Sequence, residues 1–405
     1  MTLWLNAGII FTLIAIVVIL FKWGNISCVG VTPVRTFTFI AILFTSGLDV
    51  GLIMFPLTEF AGYADLKSSP EYGFANPLAI EFAYWGFLIW GFYFVTCFYF
   101  CVIEPRVKFF DILWVKLINN VVIIGTCAFT AFLLLSNLPW YLPIVGNGES
   151  IVPSFYLIVL AVICFAVYSS TDIKYVRFLS ISTTWLFITL IGFMWFGAFM
   201  GSDSQLSAFT DNLALIGNYF GNIDDFVLPL NAYHEFYLFW WFAWSIMIGQ
   251  FTSRFVGGLK TYQLLGAMLI FPSIPIAVWF SVLYQYHEAG ISTEGLKNFA
   301  MAVVGIVFVI NSLDSLIRLY TDNLNMTVKR FGKFNYIVVN IVLLGLLTLL
   351  FKLEFIEIQW VGALVIGLFF ACAIFIAYRK YKTVRNIDSS PEGNKVDYTK
   401  IERAN

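Results

Sequence analysis

Inside a lipid bilayer a backbone has no water to bond to, so only helices and closed barrels can cross it. This sequence consists largely of apolar runs of roughly 17 to 25 residues, the length that spans hydrocarbon as a helix. The runs lie roughly at 3–22, 36–57, 79–103, 112–137, 153–170, 179–200, 235–253, 263–284, 298–318, 336–351 and 359–378. They predict an all-α integral membrane protein of about eleven transmembrane helices. Composition agrees: 60% of the residues are hydrophobic and 12% charged, with a mean hydropathy of +0.86, which excludes a soluble enzyme. The first run lacks a basic n-region and a small-residue cleavage site, and is expected to stay as a helix.

Basic residues set the expected orientation. With the N-terminus outside, the inner segments hold Lys22, Arg35, Arg106, Lys108, Lys116, Lys174, Arg177, Arg254, Lys260, Arg318, Lys329, Arg330, Lys333 and the seven basic residues after Tyr378, leaving Lys67, Lys297 and Lys352 outside. A multi-pass protein of the cell's inner (plasma) membrane follows, N-terminus out and C-terminus in the cytoplasm. The outer segment 201–234 has no Lys or Arg, and its run SQLSAFTDNLALIGNYF has the spacing of a surface helix. The tail beyond Arg385 reads as a short disordered end. The cysteines form no disulfide or metal pattern, and no nucleophile elbow or phosphate loop occurs. Neither an enzyme nor a nucleic-acid binder is expected, and the lipid bilayer is the one certain partner.

Aromatic residues crowd two of the runs. In FYLFWWFAW, Phe236 to Trp244, residues Trp240 and Trp244 share a helix face and Trp241 lies about 100° further round. A headgroup belt is one reading of such residues; a wall of ring faces for a cation is the other. A second cluster, YWGFLIWGFY, holds Trp85, Trp90 and Tyr93. Charged residues within spans are costly and therefore functional candidates. Asp49 sits mid-span between Gly47 and Gly51, where glycines allow a broken helix with a substrate or ion site at the break; helix packing is the alternative. Glu81 lies one turn before Trp85, as a site group or a hydrated entrance residue. Asp314, among Asn311, Ser312 and Ser315, reads either as part of an oxygen cluster for a hard cation or as a structural hydrogen-bonding group.

These runs resemble the betaine/choline/carnitine transporter family, in the family's own order. TSGLDVGLIMFPLTE, Thr45 to Glu59, resembles its AGMGIGLMFYGVAE pattern, and Trp85, Trp90 and Tyr93 match the spacing of its HW…PW…Y helix. Trp240, Trp241 and Trp244 and the segment after them resemble its tryptophan helix and following loop, and NSLDS at Asn311 to Ser315 is similar to TSADS. The resemblance implies a leucine-transporter-like core of two inverted five-helix repeats, 36–200 and 235–378. Around it would lie an N-terminal helix and loop at 1–35, an outer loop at 201–234 and a tail at 379–405. Family members usually have about twelve spans, so the counterpart of their first helix is expected to be missing here. A homotrimer is usual in the family.

The implied activity is alternating-access import of a small quaternary-ammonium or related onium compound such as choline, betaine or carnitine, coupled to Na⁺ or H⁺. Trp85, Trp90, Tyr93, Trp240, Trp241 and Trp244 would form the cage, with Gly47, Gly51 and Asp49 at the broken helix. Asp49 stands where the family has glycine; it favours a cationic substrate over a zwitterion, or carries a proton. A Na⁺ site would use the Thr45 and Leu48 carbonyls with Asn311 and Ser312, although Asn311 replaces the family's Thr. The family's Pro after the third Trp is absent, which predicts a weaker break there. A same-fold transporter of another cationic amine or amino acid, and a membrane sensor or channel without coupled transport, are the competing readings.

Overall fold

A computed structural model describes residues 1–48, 50–200 and 206–387, for Leu206 the backbone alone. Asp49, 201–205 and the tail 388–405 lie outside the described residues. Helix α1 spans Thr2–Trp23. The second apolar run is in pieces, α2 Thr36–Gly47, α3 Val50–Met54 and α4 Pro56–Ala64. The third is α5 Pro77–Trp85 and α6 Ile89–Phe98, which continues through a π-helical turn into α7 Glu104–Val107. Then follow α8 Leu113–Tyr141, α9 Pro153–Ser169 and α10 Lys174–Phe199. Two short helices, α11 Leu206–Leu215 and α12 Gly217–Gly221, lead to the tryptophan helix α13 Ala232–Thr252. The chain ends in α14 Thr261–Ile270, α15 Ser273–Glu288, α16 Leu296–Asn323, α17 Val328–Phe331, α18 Lys333–Lys352, α19 Ile358–Phe375 and α20 Tyr381–Arg385.

The protein is all-α apart from one two-stranded ribbon, and among the described residues eight helices are long and apolar enough to cross a membrane. That is fewer than the expected eleven, for physical reasons. The unbroken parts of two runs, Thr36–Gly47 and Pro153–Ser169, are short, and α13, though 21 residues long, carries His234, Glu235 and many indole and phenol rings.

Loops that charge alternation assigns to one side do meet. Strand β1, Ser27–Val29, pairs antiparallel with β2, Gly257–Lys260; Arg254 pairs with Asp322 at 2.9 Å, and Lys22 Nζ donates to the Val384 carbonyl at 3.2 Å. At the other end, Thr2 donates to Glu235 at 2.8 Å, and the Asn231 amide donates to Glu71 at 2.5 Å and to Tyr72 at 2.8 Å.

Helix α13 runs unbroken through the centre, packed between α6 and α19. Two glycines allow the approach. A Cβ on Gly249 would overlap Thr96 of α6, and one on Gly362 of α19 would overlap the backbone of Phe239. Thr96 Oγ1 also donates to the Ser245 carbonyl at 2.7 Å, which locks α6 to α13 at that depth.

Candidate functional site: an aromatic box beside two broken helices

The helix ending at Gly47 stops because Leu48 is extended, at φ −131 and ψ 159. A break in a low-dielectric interior frees carbonyls that must find donors, and side chains of other helices supply them. Tyr93 Oη donates to the Gly47 carbonyl at 3.2 Å, Trp279 Nε1 to Leu52 at 2.9 Å and Tyr141 Oη to Met54 at 2.7 Å. The second break, between α5 and α6, turns on Gly86 and on Phe87, whose φ is +44. It splits a run expected to be one helix and places Trp85 and Trp90 on different pieces. Trp90 Nε1 reaches back across the break to the Trp85 carbonyl at 3.2 Å.

Four of the six expected aromatic residues are linked in a row by ring contacts. Trp85 meets Trp241 at 5.1 Å between centroids and 77°, Trp241 meets Tyr93 at 6.5 Å and 71°, and Tyr93 meets Trp90 at 5.1 Å and 79°. The Trp90 indole joins the row's far end to Trp85 through the Trp85 backbone carbonyl and not ring to ring. Successive rings stand near right angles, like the walls of a box, and all four residues are buried. The Trp241 N–H donates to the Tyr84 carbonyl at 2.7 Å, which fixes that wall. Gly47 lies against the Trp90–Tyr93 corner, where an added Cβ would come within 3.2 Å of the Trp90 ring.

The other two tryptophans are placed differently from a six-walled cage. Trp240 stacks on the back of Trp241, at 5.0 Å and 8°; a cation cannot enter between rings so close, so Trp240 backs a wall. Trp244 is buried and makes no ring-on-ring contact among the described residues. Gly51 is buried within α3, its carbonyl bonded to the Phe55 N–H at 2.9 Å. Asp49 lies outside the described residues. The indole N–H groups of Trp85, Trp240 and Trp244 are buried without a hydrogen-bond partner.

The residues expected to hold Na⁺ do come together, but as donors and acceptors already paired. The Asn311 amide Nδ2 donates to the Thr45 carbonyl at 2.9 Å, while its Oδ1 accepts from Ser180 Oγ at 3.3 Å. Ser312 Oγ donates to the Leu48 carbonyl at 2.8 Å. The Thr45 carbonyl thus accepts from the Asn311 amide and also from Ser312 Oγ at 3.3 Å, so as arranged it is bonded to donors. Asp314 is a structural group: Arg318 binds it at 2.9 Å, Ser169 Oγ donates to it at 2.7 Å, and the same arginine holds the Ser169 and Asp172 carbonyls at the α9–α10 turn.

Sequence reading passed over three residues at the site. Tyr237 packs on Trp85 at 5.7 Å and on Trp240 at 5.5 Å, and Phe55 lies 5.9 Å from each. Glu59 accepts hydrogen bonds from Tyr63, Tyr233 and Tyr237. The i, i+3, i+4 spacing of Tyr237, Trp240 and Trp241 was the available signal for the first of these.

No family profile matches the chain. It is 25% identical over 320 residues, 69% of its length, to glycine betaine transporter 1 of Vibrio parahaemolyticus, and covers 60% of that protein. An uncharacterized transporter of Haemophilus influenzae is 26% identical over 65% of the chain and 44% of its own length. A glycine betaine/proline/choline/ectoine transporter of V. parahaemolyticus is 25% identical over 34% of the chain, which covers 24% of it. The chain therefore spans at most about six-tenths of the length of these curated relatives. They are transporters rather than enzymes, and the chain's similarity to two betaine transporters agrees with the motif resemblance to the betaine/choline/carnitine transporter family.

Proposed function

We propose that this chain carries a small onium compound, of the choline or betaine type, across the membrane by alternating access, importing it with the N-terminus outside. The observation that supports this best is the buried box of Trp85, Trp90, Tyr93 and Trp241. Each ring face attracts a quaternary ammonium group by about 0.5 to 2 kcal/mol, and a box of indoles offers no hydrogen bond that would favour a primary amine instead. The two broken helices supply the movable pieces such a cycle needs, since each half can tilt while side chains hold the freed carbonyls. The inverted-repeat frame, 36–200 against 235–378, belongs to this reading.

Coupling to H⁺ fits better than coupling to Na⁺, because Asn311 directs a donor at the Thr45 carbonyl. Asp49, an acid at the break between Leu48 and Val50 in the sequence, would favour a cation over a zwitterion. Uptake of labelled choline and glycine betaine into proteoliposomes, with Na⁺ and pH gradients imposed separately, tests the whole reading. Accumulation under a pH gradient without Na⁺ is expected; no uptake of any onium compound under either gradient would end it. Asp49→Gly is expected to weaken choline more than betaine, and equal loss of both would remove that role for the acid.

A further inference from the structure

One turn before Trp85 on α5, the Glu81 side chain is fully buried, and neither of its carboxyl oxygens has a hydrogen-bond partner. A bare carboxylate in such a place is expensive by several kcal/mol, so this group calls for a positive partner or a proton. Its neighbour is the carboxyl of Glu59 on α4. Glu59 is differently placed: Tyr63 Oη donates to it at 2.5 Å and Tyr237 Oη at 3.0 Å, and Tyr233 donates as well. Three hydroxyls can stabilise one negative charge at Glu59, whereas the Tyr63 hydroxyl and the Trp85 indole lie near Glu81 without closing to hydrogen-bond geometry. Two charges in contact in a low dielectric cannot both persist, so such a pair takes up its protons in separate steps.

The titratable groups that face the pair are tyrosines. Tyr63 is on the Glu59 helix and Tyr84 on the Glu81 helix; Tyr141 comes from α8, and Tyr233 and Tyr237 from α13. Tyr72 bonds Tyr84 at 2.9 Å, and His234 stacks on the Tyr84 ring at 4.7 Å. On the α15 side, His287 packs on Phe60 at 5.6 Å. Glu71, in the loop before α5, is held below the usual carboxylate range by the Asn231 amide, and so keeps its charge.

We propose that Glu59 and Glu81 form a carboxyl pair that binds one exchangeable proton, Glu59 keeping the negative charge against its tyrosines and Glu81 carrying the proton. The proton comes from water and returns to water, and no bond other than O–H forms or breaks. Tyr237 links the pair to the aromatic box, since its hydroxyl bonds Glu59 while its ring lies on Trp85 and Trp240. Loss of the proton sets two negative charges side by side beneath those tyrosines, so the charge of the pair and the packing of the box change together. The coupling of this proton to transport rests on the transporter reading; its binding does not.

The test is a pH-difference infrared titration of the full chain in lipid nanodiscs, free of substrate, from about pH 4 to about pH 9. The wild type is expected to show the C=O band of a buried protonated carboxyl, lost in Glu81→Gln and kept, shifted, in Glu81→Asp. In proteoliposomes, stimulation of onium uptake by a pH gradient is expected to fall to none in Glu81→Gln. Persistence of the band in that variant would overturn the proposal, and persistence of the stimulation with the band lost would overturn its coupling to transport. So would a transition whose midpoint moves when Na⁺ or Mg²⁺ is raised at constant ionic strength, which would assign the pair to a metal ion. If Glu81→Gln does not fold, Glu59→Gln serves, and an unchanged titration there overturns it equally. A Glu81-dependent band in a protein that transports no onium compound leaves the proton pair standing and removes the transporter reading.

Discussion

Asn311 is the residue whose chemistry most separates the two coupling ions under the proposed transport function. Its amide nitrogen bonds the Thr45 carbonyl and its oxygen takes the Ser180 hydroxyl, so both ends are used without a cation. Reversing the amide would set two oxygens against each other, and only a positive ion could hold that arrangement. Asn311→Leu is expected to leave the Thr45 carbonyl short of a donor and to cost about 1–3 kcal/mol, read as a lower melting temperature in detergent. A variant as stable as the wild type would show that the amide is not the carbonyl's main partner. Arg318 makes a second prediction. Because it neutralises buried Asp314 and also holds two carbonyls, Arg318→Leu should cost about 3–5 kcal/mol, while Asp314→Asn with Arg318→Gln should cost less. Equal losses would mean that carbonyl capping, not charge pairing, is what matters there.

At the scale of elements, the sequence carried the tryptophan helix almost completely and the broken helices only partly. Gly47 and Gly51 pointed to a break in the second run, and it falls at Leu48. The break at Gly86 was not legible, because a left-handed residue at Phe87 has no local signal when the residue is not glycine. The separate fates of Trp240 and Trp241 were equally hidden: adjacent indoles look alike in sequence, and only the partner helices decide which faces the box. Glu59 stood in the quoted motif, yet its role depends on Tyr233 and Tyr237, some 174 and 178 residues away. Close contact of α6 and α13 depends on Gly249. Gly249→Val is expected to separate Thr96 from the Ser245 carbonyl and greatly reduce recovery of folded protein, whereas Gly345→Val, where a Cβ meets nothing, should be tolerated.

For the whole molecule, a central helix is locked by glycine contacts to its neighbours, while one of the two broken runs beside it carries the other three aromatic walls. The aromatic box joins these parts: Trp241 belongs to the unbroken helix, and Trp85, Trp90 and Tyr93 to the broken run. A cation bound there would draw the two together, which is how ligand binding favours one of two conformations. The measurement that bears on this most directly is equilibrium binding of labelled choline and glycine betaine to the purified protein, comparing wild type, Trp241→Leu and Trp360→Leu. Trp360 is 52% exposed on the outside of the bundle and serves as the control. Loss of one wall should weaken binding by about tenfold in Trp241→Leu and leave Trp360→Leu at the wild-type value. Equal affinity in all three proteins would mean that the box is a packing cluster and does not hold the onium group.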